Sequence, residues 1–258
     1  MNGIYDQLAA VTGLGQTWLW AATLVFLRVG GALALMPAFG DRAVPGRVRL
    51  VLALAFTAVV APSVAGGMVD QPFSALPAAV EVLVGLALGV GLRLFVFALE
   101  VAAAIIANAT SLAQLFGGST PDPQPAVGHL LTMAGLALAV LSGLHVKAAS
   151  LLILSYHLIP AGAFPRASDM ADWGLMQVVQ FFALAFMLAA PFVIASVLYN
   201  VALGVINRAM PQLAVTLVGA PLLTWASLVM MMVLVPLMLV VWWGRFDAFL
   251  IHPFQVAP

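Results

Sequence analysis

Apolar side chains in this chain do not alternate with polar ones; they come in blocks. Ala209 to Gly244 is 36 residues without a charged side chain, and Trp173 to Asn207 is another 35. At ~1.5 Å rise per residue, each block makes a helix of about 50 Å, well beyond the roughly 30 Å core of a bilayer. Apolar segments lie at about 17–40, 48–65, 77–116, 127–159, 175–206 and 212–244. The pattern predicts an all-α integral membrane protein of about six long apolar helical segments, some kinked or hairpin-like. It is read as a single membrane domain over 1–258.

The third segment stands apart because it carries Glu81, Arg93 and Glu100. It is either a helical hairpin or one very long helix. Arg93 and Glu100 are seven residues apart and share a helix face, with Glu81 on another. Ionisable groups at membrane depth either line water or pair with one another, and pairing between helices or subunits is the plainer reading here. Gly85 and Gly89 form a small-x-x-x-small face that lets helix backbones approach closely. A second face is made by Ser196, Asn200, Gly204 and Asn207, which fall within about 80° of one another on a helix. Hydrogen-bonding contact between helices is the common use of such a face.

Two connections carry information. Asp41 to Arg49 joins the first two segments and holds Arg42, Arg47 and Arg49, three of the nine basic residues. Under the positive-inside rule this elbow is cytoplasmic and the N-terminus external. Arg42-Ala-Val-Pro45 is echoed by Arg208-Ala-Met-Pro211, each closing one apolar segment and opening the next. The other connection follows Ser111 and Gln114: Phe116, Gly117, Gly118, then Pro121, Asp122, Pro123 and Pro125. Two glycines and three prolines in nine residues predict non-helical chain. Such backbone at membrane depth must be buried in protein or line a cavity, so this is either an external loop or a pore-occluding one.

Composition narrows the chemistry. Hydrophobic residues are 64% and charged residues 7%, and the net charge is zero, which gives no footprint for a nucleic acid. Cysteine is absent, and the four histidines are scattered, so neither a thiolate site nor a metal or other cofactor is expected. The start, with Asp6 and no basic region, does not resemble a cleaved signal peptide. No phosphate-binding glycine loop or catalytic triad is present, and no enzymatic activity is expected. Three successive methionines, Met230 to Met232, point in three directions on a helix.

Taken in order, these features resemble the FliR family of bacterial flagellar biosynthesis proteins, related to the T components of injectisomes. One stretch carrying the resemblance is Leu27-Arg28-Val29-Gly30-Gly31 through Met36-Pro37-Ala38-Phe39-Gly40, followed by the elbow Arg42–Leu50. The other is Leu203-Gly204-Val205-Ile206-Asn207-Arg208-Ala209-Met210-Pro211-Gln212-Leu213. The likeness runs from about residue 15 to 245. It departs at Ala109-Thr110-Ser111-Leu112, where the family carries a Met-Gly-Leu-Ser-like stretch; Asp122-Pro123 remains recognisable.

The resemblance implies a pore-forming subunit of the flagellar export gate, in the bacterial inner membrane at the flagellar basal body. It would be built to pack in a hetero-oligomer with FliP-like and FliQ-like subunits and to pass unfolded cargo. It also implies a plug formed by the loop at about 111–125, and assembly roles for Arg28, Pro37, the elbow arginines with Pro45, and Asn207, Arg208, Pro211 and Gln212. An injectisome gate subunit is the near alternative. A small-solute transporter using Arg93 and Glu100 is the alternative of another class.

Overall fold

The computed structural model describes residues 2–41, 44–68, 73–109, 124–210 and 215–254. Among these residues the chain is all-α. The helices are α1 (Asn2–Leu35), α2 (Gly46–Val64) with a 3₁₀ turn at Ala65–Met68, α3 (Ala75–Ala109), α4 (Gln124–Leu141), α5 (Leu144–Leu158), α6 (Ala167–Ala209) and α7 (Val215–Ile251). Five are long and apolar enough to cross a bilayer. The α4–α5 pair qualifies only jointly and is bent by 74°. The chain is a multi-pass membrane protein.

As far as Ala109 the third apolar segment is one unbroken helix, α3, which removes the hairpin alternative. The fourth is broken instead. Gly143 adopts a left-handed conformation with φ 84°, a backbone state that favours glycine, and it ends α4 while starting α5. The first segment stops being helical at Leu35, short of the expected residue 40. Pro37 disfavours helical backbone in the residue before it, and Ala38 sits at φ 66°. Gly40 is packed so tightly that an added Cβ would lie 2.6 Å from the Ala34 carbonyl oxygen.

The chain divides into two compact units. Unit 1 holds residues 1–93, 143–175 and 248–258, that is α1, α2, the first half of α3, α5 and the ends of α6 and α7. In it α2 packs on α1 and α5. The backbones of α1 and α3 nearly touch. A Cβ on Gly85 would overlap the Arg28 carbonyl group, and one on Gly89 would lie 2.7 Å from the Ala32 oxygen. The Gly85–Gly89 face is thus filled from within the chain.

Unit 2 holds residues 94–142 and 176–247. Its centre is aromatic: Trp242 is fully buried, stacks on Phe246 with ring centroids 5.1 Å apart, and donates its indole N–H to the Phe95 carbonyl at 2.8 Å. Gly135 leaves room for Leu99 and Trp242. Along α6, residues Leu184, Ala185, Leu188, Ala189, Phe192 and Ser196 are buried, a spacing that defines one helix face. The opposite face is also apolar and is exposed, with Phe182, Phe186, Ile194 and Val197 on it.

Candidate functional site

The main concentration of polar chemistry described here lies inside unit 1, where the glycine crossing sets Arg28 of α1 beside Glu81 of α3. Both side chains are fully buried. The guanidinium is bidentate on the carboxylate, with Arg28 Nε donating to Glu81 Oε2 at 2.7 Å and Nη2 to Oε1 at 3.1 Å. Nη1 donates to Ser155 Oγ at 3.2 Å, and Nη1 and Nη2 both reach the Ile159 carbonyl at 3.0 and 3.1 Å. The Tyr156 ring lies under the guanidinium carbon, 3.7 Å from its centroid. Glu81 further accepts the Tyr156 hydroxyl at 3.0 Å and the Gly162 backbone N–H at 2.9 Å.

Every N–H of Arg28 therefore has an acceptor, and each oxygen of Glu81 takes two donors. That completeness is what allows two charges to be buried among apolar helices, because an unpaired one would carry a cost of several kcal/mol. The site binds four parts of the chain to one point: α1, α3, α5 and the turn after α5. It holds charge without exposing it, so it organises structure rather than acting on a substrate.

Arg93 and Glu100, grouped with Glu81 by sequence, are placed elsewhere along α3: Arg93 is half-buried in unit 1, and Glu100 is exposed in unit 2. In the sequence Arg28 stands out only as part of a family-like motif, and nothing there pairs it with Glu81 or draws in Ser155 and Tyr156. One signal did exist: a single cation in the first apolar segment and a single anion early in the third, each costly alone.

The elbow shows a division of labour. Arg49 turns back to donate to the carbonyl of Val44 at 3.1–3.2 Å and to that of Asp41 at 3.4 Å. Pro45 caps α2, with φ −57° and ψ 143°. Pro37 is buried, whereas Pro45 and Arg47 are exposed. On α6, Ser196 donates to the Ala109 carbonyl and accepts from Asn200 at 3.3 Å. The rest of that stripe, Asn200, Gly204 and Asn207, is exposed, as is the neighbouring Arg208.

Several expected residues lie outside the described ones: Arg42, Pro211 and Gln212, and, in the loop, Ser111, Gln114, Phe116, Gly117, Gly118, Pro121, Asp122 and Pro123. Pro125 falls in the first turn of α4. Among the described residues, no three His, Asp or Glu side chains gather closely enough to hold a metal ion.

The family model described as bacterial export proteins, family 1, matches residues 19–249. The chain is 34% identical over 234 residues to the flagellar biosynthetic protein FliR of Caulobacter vibrioides, covering 88% of this chain and 93% of that protein. It is 32% identical over 232 residues to the Escherichia coli protein of that name, covering 86% and 88%. For the Bacillus subtilis protein the identity is 30% over 233 residues, again covering 86% and 88%.

Proposed function

The chain belongs to family 1 of the bacterial export proteins, and from that premise we propose that it is a structural, pore-forming subunit of the flagellar export gate. The observation that carries this is the near-complete correspondence, over 19–249, with a family whose similar members are flagellar proteins. Those members favour the flagellar reading over an injectisome. In this reading the subunit is required for flagellum assembly and for export of unfolded flagellar proteins, and it sits in the inner membrane at the basal body. It has no enzymatic step, and energy enters through other components.

The exposed apolar surface supports assembly with partners. In the apolar windows of α6 and α7 only 33% and 22% of residues are buried within the chain. Such surface must be covered by lipid or by other subunits, and blocks much longer than the bilayer favour subunits. FliP-like and FliQ-like proteins are the partners this reading names. The exposed end of α6 with Asn207 and Arg208, and the elbow with Arg42 and Arg47, are the contact surfaces proposed for them.

The loop at about 111–125 is proposed as the plug that holds back ions while no cargo is in transit. Replacing Gly117–Pro125 by a short Gly/Ser linker should raise ion leakage through the closed gate. Unchanged leakage in an assembled gate would rule the plug out. The function as a whole is tested by deleting the gene and assaying the medium for filament protein. Loss of export, restored by the intact gene, is expected; export that persists without it would overturn the proposal.

A further inference from the structure

Glu81 and Arg28 do more than neutralise each other. A buried ion pair is a poor stabiliser, since desolvation offsets most of the attraction, and apolar side chains of similar volume often serve as well. An apolar pair, however, cannot accept the Gly162 N–H or donate to the Ile159 carbonyl. Both are main-chain groups of the turn that links α5 to α6. Ile159 follows the last residue of α5, and carbonyl groups at a helix C-terminus lack partners within the helix. Gly162 is held at φ 68°, in the left-handed region. Glu81 and Arg28 thus supply one acceptor and two donors to a stretch of backbone that α5 itself does not satisfy.

We propose that Arg28 and Glu81 are positioning residues for the turn Ile159–Gly162, and that assembly into the export complex depends on where they hold it, because the turn is flanked by the exposed apolar side chains of Leu158 and Phe164. The stability of the ion pair as such is secondary. The turn is gripped from both sides of its bend, at Ile159 O by α1 and at Gly162 N by α3, so its place is fixed relative to two helices whose own separation is set by Gly85 and Gly89. Tyr156 backs the guanidinium with its ring and shares Glu81 Oε2 through its hydroxyl. The assembly half of this inference rests on the export-gate reading; the anchoring half does not.

The test uses the full-length chain in its native membranes, carrying the double substitution Arg28→Met/Glu81→Leu. Three quantities are read: the melting temperature in detergent, hydrogen–deuterium exchange of the peptide containing Gly162, and recovery of export subunits together with filament protein in the medium. The expected result is a melting temperature higher than that of Arg28→Ala, which leaves Glu81 as an unpaired buried charge, exchange in the turn faster by about tenfold or more, and loss of both co-purification and export. Arg28→Lys guards against a double variant that fails to accumulate. Lysine still neutralises Glu81 but, as a point charge, cannot span the carboxylate and Ile159 together. Faster exchange and reduced export are expected from it, whereas a role confined to charge neutralisation predicts neither. Wild-type exchange in the turn, or a loosened turn with export intact, overturns the inference. Failure of the wild-type chain to recover any export subunit overturns the export-gate reading instead, and leaves anchoring to be judged on exchange alone.

Discussion

Unit 1 closes on a charged pair and on glycines that let α1 and α3 touch, whereas unit 2 closes on Trp242, Phe246 and Phe95 and turns large apolar faces of α6 and α7 outward. The difference separates two jobs within one membrane chain. In unit 1, geometry is specified internally: bidentate ion pairs and backbone contacts tolerate little displacement. In unit 2, packing is aromatic and aliphatic, and the exposed faces are no more polar than the buried ones. A surface of that kind is finished only by what lies against it.

This contrast is broken most forcefully at Arg28. Arg28→Ala leaves Glu81 buried without its cation and should cost about 3–5 kcal/mol, read as a large drop in melting temperature in detergent. A loss under ~1 kcal/mol would mean that water or another group reaches Glu81. Unit 2 should yield less to a comparable single change. Trp242→Phe removes the hydrogen bond to the Phe95 carbonyl and part of a buried ring, at about 1–3 kcal/mol in the same melting assay. The smallest effect on the chain alone belongs to the outward face of α6. Phe186, 60% exposed, should change stability by less than about 0.5 kcal/mol when replaced by alanine, yet lower the recovery of partner subunits. If recovery is unchanged, that face meets lipid.

Much of unit 1's frame was legible in the sequence, and its centre was not. The Gly85–Gly89 spacing announced a close helix contact without naming α1 as the partner, because small-residue faces fit many neighbours. Glu81 is costly at membrane depth, but periodicity along one helix does not say which of several distant helices will answer it. Ser155 and Tyr156 carry no sequence signal for this role, since serine and tyrosine in apolar helices are common. Gly143 and the Pro37–Gly40 turn explain why the apolar blocks overran the helices: hydropathy reads burial, and backbone conformation sets where a helix stops. On α6 the buried and exposed faces could not be separated from sequence, because both are apolar. The elbow divided in a way that counting charges could not anticipate, with Arg49 folded back on its own carbonyl groups and Arg47 exposed.

On the export-gate reading this chain works as one subunit among several, its outward faces covered by partners. Affinity purification from native membranes through a C-terminal tag in mild detergent, with sizing and mass spectrometry of what is recovered, tests it most directly. One large, stable particle containing FliP-like and FliQ-like subunits is expected. A lone monomer or homodimer, recovered intact and free of such subunits, would contradict it.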